Sequence, residues 1–330
     1  MEEIGGVLSA AWPQLRVLAD PEPLTGGFWA QMWRVRVSSQ PEGLPGELVV
    51  RFAPHTEMGA KEAEVQRTVA AQGYPTPTIR FSRVANAPLH GWWSVMDFSH
   101  GAPLLAGLDG TGILRRAPAL VRTMPAQLAE SMAALHRLEP VPVTDAVRRA
   151  APSVAWTVGE VLDQLCLGAE ATERHDVLAA LEHLAGRVPS ASALVICHGD
   201  LHPFNVLADG DALTVLDWTG SILADPCFDL ALTELLLANP PLDLPGPLAA
   251  LARRAGRMLA RRFVTRYASA NPNVSLKPLD WYRAMHSARV LIDVTRQRAE
   301  HGPDAGGPLR LIAPAAVNHL STATGVDMRP

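Results

Sequence analysis

The spacing of apolar and polar positions changes character about a third of the way along the chain. In the first hundred residues the runs are short and strand-like. MWRVRV (32–37) alternates apolar with basic residues, and ELVVRFA (47–53) is nearly continuous in apolar side chains. The turn-rich SSQPEGLPG between them predicts an antiparallel pair. Residues 57–72, EMGAKEAEVQRTVAAQ, predict a helix stopped by Gly73 and Pro75. HGWWSVMDF (90–98) predicts another strand, running into a glycine-containing joint at SHGAP.

Beyond that joint a helical period takes over. Leu128, Met132, Leu135 and Leu138 recur at three- and four-residue intervals, which predicts a helix over 125–138. Further helices are expected over about 157–168, 171–186, 228–238, 246–269 and 278–300. Two strand-like runs interrupt them, ALVICHGD (193–200) and ALTVLDW (212–218), forming a short ribbon. The expected fold is therefore α+β with two lobes. A small antiparallel-sheet lobe spans 1–96, a hinge 97–101 and a larger helical lobe 102–330, with a ligand cleft between the lobes.

Composition narrows the function classes. At 330 residues and 48% hydrophobic, the chain can bury two cores, and it carries no apolar run of membrane-spanning length. Its acidic start lacks the pattern of a secretory signal, and its three cysteines show no disulfide framework or metal-ligand spacing. A cytoplasmic protein with reduced thiols is the expectation. The net charge of −4 points to neither a nucleic acid nor a membrane as partner. The charge is uneven: residues 250–300 hold eleven Lys and Arg against Asp280, Asp293 and Glu300. Such a run is either a solvated helix face or a surface that favours anions.

The chemistry-bearing stretch is HGDLHPFN (198–205), followed by Leu216, Asp217 and Trp218. It supplies two carboxylates and a carboxamide within eighteen residues, on loops at strand ends. Phosphoryl transfer calls for such a set: a carboxylate for the attacking hydroxyl, and hard oxygen ligands for Mg²⁺. Asp217 and the amide of Asn205 suit the metal, which leaves Asp200 as base. A Gly-Asp turn followed by Asn also makes a plain loop. Upstream elements in a fitting order add weight. Gly26 and Gly27 precede the first strand pair, where their amides could approach phosphates, although paired glycines also make simple turns. Arg51 lies in a strand among apolar residues, and Glu62 on the next helix could pair with it, with Glu64 as the alternative.

These motifs, HGDLHPFN, LDW and DPCFDLA, resemble those of the aminoglycoside phosphotransferase and choline kinase family, which has the protein-kinase-like fold. The resemblance covers roughly residues 20–235. It implies Asp200 as catalytic base and Asn205 and Asp217 as Mg²⁺ ligands. It implies that His198 shapes the catalytic loop, and that Asp229 fixes this loop and caps the following helix. Met96, Asp97 and Ser99 resemble the adenine-binding hinge, with backbone groups of Asp97 and Ser99 bonding the base. Arg51 stands where many members carry lysine, and a planar guanidinium is not a point-like ammonium.

The implied activity is transfer of the γ-phosphate of ATP or GTP to a hydroxyl of a small molecule. A nucleotide-binding protein without turnover is the second reading. Glu160, Asp163, Glu234 and Asp243 are candidate acidic groups for a cationic acceptor. Trp156, Trp218, Trp281 and Tyr282 are candidate aromatic faces or core residues. No dense acidic cluster appears, and the last helices are arginine-rich. The acceptor is therefore expected to be neutral or mixed and hydroxylated, such as an antibiotic-like natural product, a sugar or an amino alcohol.

Overall fold

The computed structural model describes residues 2–24, 30–85, 90–105, 112–240, 246–302 and 305–328. From the N-terminus come α1 (Glu2–Ala11), β1 (Arg16–Val17), β2 (Glu22–Leu24), β3 (Gln31–Ser38), β4 (Glu47–Ala53), α2 (Thr56–Ala71), β5 (Ile79–Val84), β6 (Trp92–Asp97) and β7 (Ala102–Pro103). Then follow α3 (Gly112–Leu135), α4 (Pro140–Ala150), α5 (Val158–Ala171) and α6 (His175–Ala185). Four short strands come next: β8 (Val195–Cys197), β9 (Val206–Asp209), β10 (Ala212–Val215) and β11 (Ile222–Ala224). The chain ends in α7 (Cys227–Ala238), α8 (Gly246–Ala270), α9 (Leu279–His301) and α10 (Ala313–Thr324). This is the expected α+β architecture: an antiparallel sheet early and helices late.

Compactness groups the chain into two units. One holds Met1–Pro103, Glu139–Val154 and Asn205–Ser221; the other holds Leu104–Leu138, Ala155–Phe204 and Ile222–Pro330. The expected division was contiguous along the chain, whereas here two later segments belong with the sheet. The first carries α4, whose start is tied to α2 by Gln72 and Glu139: the Gln72 side chain donates to the Glu139 carbonyl at 3.1 Å and accepts the Glu139 N–H at 2.8 Å. The second carries the β9–β10 hairpin. β9 pairs with β7, and the Val215 N–H donates to the Pro75 carbonyl at 2.8 Å.

In the sheet unit the strand order is β1–β3–β4–β6–β5, with β2 also on β3. Alternation sorts its side chains. Leu48 and Val50 of β4, Val35 and Val37 of β3, and Trp93 and Val95 of β6 form one core with Ile4, Val7 and Leu8 of α1. Helix α1 was not expected from the sequence, although these three residues carry a helical spacing. The opposite phase of the strands places Val49, Met96 and Ile79 in a second cluster with Leu24, Met32 and Phe98. Arg51 shares the phase of Val49 and stands between Met32 and Ser94 in the strand register. Helix α2 packs close to β6. A Cβ added at Gly59 would lie 2.5 Å from the Trp92 Cβ, so this contact needs glycine.

The helical unit is organised around α7 to α9. Its buried side chains include Leu128, Met132 and Leu135 of α3, Phe228 and Leu230 of α7, Phe263 and Tyr267 of α8, and Tyr282 and Leu291 of α9. The expected helix over 171–186 is shorter, because Glu173 takes a φ of 55° and separates α5 from α6. The expected pairing of the runs at 193–200 and 212–218 is also corrected. β8 pairs antiparallel with β11, whereas β10 pairs with β9 through a two-residue turn whose first residue, Gly210, has a φ of 58°. A local hairpin with a turn glycine is the shorter closure for residues 206–215. Among the described residues no helix is long and apolar enough to cross a membrane.

Candidate active site

Each unit carries part of the predicted constellation. In the sheet unit Arg51 and Glu62 form a buried ion pair, with side chains 10% and 6% exposed. Glu64 instead pairs with Arg67 one turn along the same helix. From Glu62 the contacts continue to Asp217. The Thr219 hydroxyl lies 3.1 Å from the Glu62 Oε2 and 2.7 Å from the Asp217 Oδ1. Asp217 has a φ of 63°, a left-handed conformation that Asp adopts more readily than most residues. Asn205 and Asp217 flank the β9–β10 hairpin, and the Leu216 N–H donates to the Asn205 carbonyl at 2.8 Å. The backbone at the two hairpin ends is thereby held together.

Burial pushes the Glu62 carboxyl up, Arg51 opposes this, and the negative charge of Asp217 adds to the rise; the net direction is upward. Two carboxylates thus stand near each other, and the Arg51 guanidinium is paired with Glu62. A divalent ion beside Asp217 would relieve that excess of negative charge, and a carboxylate with an amide oxygen is the hard donor set that Mg²⁺ takes. The residues fit the ion that the sequence implied.

The expected hinge residues also lie in this unit. Met96 is buried and receives a 3.6 Å contact from the Gln66 amide. The Asp97 N–H donates to the Thr78 carbonyl at 3.1 Å, and its side chain is held by Arg80 at 2.7 and 2.8 Å. Gly26 and Gly27 lie outside the described residues.

In the helical unit the loop after β8 carries Asp200. Gly199, with a φ of 73°, allows two successive amides to point at one carboxylate. The His198 N–H donates to Asp229 Oδ2 at 2.8 Å and the Gly199 N–H to Asp229 Oδ1 at 2.7 Å. The Asp200 N–H donates to His198 Nδ1 at 3.2 Å, and the Leu201 carbonyl accepts from the Thr233 hydroxyl at 2.6 Å. Asp229 therefore anchors the loop, but it does not cap α7. That task falls to Asp225, whose Oδ1 accepts the Cys227 N–H at 2.9 Å, because Asp225 precedes the helix while Asp229 sits inside its first turn.

Two basic side chains that the motif does not assign stand near Asp200. His202 Nε2 is 3.6 Å from the Asp200 Oδ2. Arg289 of α9 donates to the Gly199 carbonyl at 3.2 Å. Burial alone would push the Asp200 carboxyl up, but the His202 bond and charge, Arg289 and His198 together hold it below the usual range. His202 was visible inside HGDLHPFN as a ring two residues from Asp200. Arg289 was hidden among the arginines of 250–300.

The candidate acceptor residues fare differently. Glu160 Oε2 accepts the Trp156 and Thr157 N–H groups at the start of α5, as the capping-box acid. Glu234 is paired with Arg283. Trp156, Trp218 and Tyr282 are buried core side chains, and Trp281 donates its indole N–H to the Leu184 carbonyl at 3.1 Å. Helical or strand periodicity cannot separate a buried aromatic from one lining a site. Asp163 is exposed, and Asp243 lies outside the described residues.

The sequence profile of the phosphotransferase enzyme family matches residues 20–267, a span that includes Asp200, Asn205 and Asp217. The chain belongs to this phosphotransferase family. No curated protein matches it in sequence. Solved phosphotransferase structures share its fold along nearly their whole length. A candidate aminoglycoside phosphotransferase from Ralstonia eutropha JMP134 is 15% identical, with 98% of each chain covered and a TM-score of 0.68. A thermostable mutant of aminoglycoside phosphotransferase APH(4)-Ia, in ternary complex with AMP-PNP and hygromycin B, is 16% identical at a TM-score of 0.61, covering 98% of this chain and all of that one. The GDP and kanamycin complex of APH(2'')-IIIa is 16% identical at a TM-score of 0.60, covering 98% of this phosphotransferase and 99% of that chain.

Proposed function

We propose that this phosphotransferase moves the γ-phosphate of ATP or GTP onto a hydroxyl of a small molecule. The observation that carries the reading is the family match spanning a loop in which Asp200 is fixed by backbone bonds and kept ionised. Asp200 would orient the attacking hydroxyl and take up its proton. Its low proton affinity suits a loose transition state, in which the proton leaves late and positioning dominates. Asn205 and Asp217 would hold Mg²⁺, which when bound neutralises the developing phosphate charge. Arg51, steadied by Glu62, would contact the nucleotide phosphates together with Gly26 and Gly27. Met96 would line the base pocket. The Asp97 N–H already serves the sheet, so the base would meet the Asp97 carbonyl and the Ser99 N–H.

Arg51 in a position where many relatives carry lysine favours a second reading, nucleotide binding without turnover. The formed Arg51–Glu62 pair supports the first. For the acceptor, two of the four candidate acids are already engaged, by the α5 cap and by Arg283, and the Arg289 guanidinium stands beside the Asp200 loop. These observations support a neutral or mixed hydroxylated acceptor over a polycation. The test is an ADP- and GDP-release screen with Mg²⁺ over aminoglycosides, macrolides, amino alcohols and sugars. Turnover on a neutral or mixed acceptor is expected. Nucleotide binding with no release on any acceptor or on water would favour the second reading. Turnover confined to polycationic aminoglycosides would overturn the acceptor assignment.

A further inference from the structure

Helix α8 carries much of the arginine run whose role the sequence left open, and none of the roles above uses it. The helix has 25 residues, with six arginines and no acidic residue. One line of it, Gly256, Ala260, Phe263 and Tyr267, recurs at three- and four-residue intervals and is buried in the helical unit. The arginines are all exposed. Arg262 donates to the Val121 carbonyl at 3.3 Å and Arg266 to the Glu130 carboxylate at 2.6 Å, which ties the later turns to α3. Among the described residues that Arg266–Glu130 contact is the one ion pair of the helix. Arg253, Arg257 and Arg261 follow one another at four-residue steps. Like charges at that spacing repel, so helix stability does not explain the row. Beside it run exposed apolar side chains: Leu251 and Met258, two turns apart, are 63% and 39% exposed, and Leu248 is 52% exposed.

We propose that the outer face of α8 docks the protein on an anionic phospholipid surface. The proposal goes beyond the phosphotransferase reading and does not depend on it. Charge complementarity and the neighbouring apolar stripe carry it together. At such a surface the arginines meet lipid phosphates while Leu251, Met258 and Leu248 enter the boundary with the acyl chains. A solvated helix face ordinarily mixes signs and pairs them along the helix, which α8 does not do. A nucleic acid would engage the arginines through its phosphates and leave the apolar stripe in water. A second copy docked through the same face would set two arginine rows against each other. The total charge of −4 hides the local excess, because the rest of the chain is more acidic than that figure suggests. An anionic bilayer therefore repels most of the molecule and attracts this helix, which selects one orientation. The arginine share of the attraction fades within a Debye length, so binding should weaken as salt is added.

The test is co-flotation of the full chain with vesicles of phosphatidylcholine alone and of phosphatidylcholine mixed with phosphatidylglycerol, over a salt series. Single-stranded RNA and polyglutamate serve as the other polyanions. The wild-type chain should bind the mixed vesicles at least about tenfold more tightly than phosphatidylcholine alone, and lose that preference at high salt. Combining Arg253→Gln, Arg257→Gln and Arg261→Gln removes the row and keeps good helix formers. Binding should fall by about 100-fold, while the melting temperature stays level or rises because the repulsion is relieved. Arg257→Gln alone should cost about fivefold, and covers the case in which the triple variant does not fold. Leu251→Ser with Met258→Ser keeps the charge and should weaken binding to the mixed vesicles by about tenfold. Equal binding to both kinds of vesicle, or binding to neither, would overturn the proposal. Full binding by a folded triple variant would do so as well, by moving the contact to another surface. RNA or polyglutamate bound while mixed vesicles stay free would assign α8 to a different polyanion and reject the lipid. An unaffected Leu251→Ser, Met258→Ser variant would also reject it, since the apolar stripe would then play no part.

Discussion

The two halves of the constellation are held by opposite means. In the sheet unit Arg51, Glu62, Thr219 and Asp217 are linked through side chains and carry two negative charges against one positive. In the helical unit the Asp200 loop is held by its own amides and carbonyls, bonded to Asp229, Thr233 and Arg289. The first arrangement is soft toward charge and suits a place where a cation and phosphates come and go. The second fixes geometry and suits a group that must present one carboxylate in one direction. Substitutions should separate the two. Charge changes in the sheet unit should act on stability and nucleotide affinity, and bond changes in the helical unit on kcat.

The largest effect on stability is expected at the ion pair. Glu62→Ala leaves the Arg51 guanidinium buried without its carboxylate, which should cost about 3–5 kcal/mol in urea unfolding and weaken nucleotide binding. A loss under 1 kcal/mol would show that Arg51 finds another partner and that the charge-based account of this unit is wrong.

Next comes a pH effect in the helical unit. His286 is fully buried with its Nε2 2.9 Å from the Phe228 carbonyl, and burial pulls its pKa down to about 3. The unfolded chain, with an ordinary histidine pKa of about 6.5, then binds the extra proton first. Stability from this group is full above that value and is lost as pH falls from about 6.5 towards about 3, by at most about 1.4 kcal/mol per pH unit. His286→Gln should flatten that part of the unfolding profile. An unchanged slope would mean that His286 is protonated or hydrated in the folded protein.

The smallest effect is expected at the rim of the sheet unit. Arg80 and Asp97 make a two-pronged but partly exposed pair. Arg80→Ala should cost about 0.2–1 kcal/mol and leave nucleotide affinity unchanged, because only backbone groups of Asp97 would meet the base. A large drop in affinity would assign the side chain a direct role.

How far the sequence carried depended on the range of the interactions. The β3–β4 pair and α2 were legible because alternation, a turn and a helical stop lie within one short segment. Their adjacency brought Arg51 opposite Glu62 and left Glu64 for Arg67. Helix α4 was missed because PVPVTDAVRRA opens with two prolines and two valines, which favour other structure when read alone; as a helix it starts with a proline in its first turn. The β8–β11 pairing was missed because it joins strands separated by the hairpin, so no local signal specifies it. Trp156, Trp218 and Tyr282 turned out to be core because burial depends on which helices meet, and that lies outside any one segment's pattern. Arg289 could not be singled out from its neighbours until α9 was placed beside the Gly199 carbonyl.

The most direct measurement is phosphoryl transfer by Asp200→Asn, with nucleotide affinity measured on the same protein in Mg²⁺. Asparagine keeps the size of the side chain and removes its charge and its capacity to take a proton. Turnover should fall by about 10²–10⁴-fold while the nucleotide Kd stays within about twofold of wild type. Wild-type turnover in this variant, or a lost nucleotide site with kcat preserved, would contradict the assignment of Asp200 as the base.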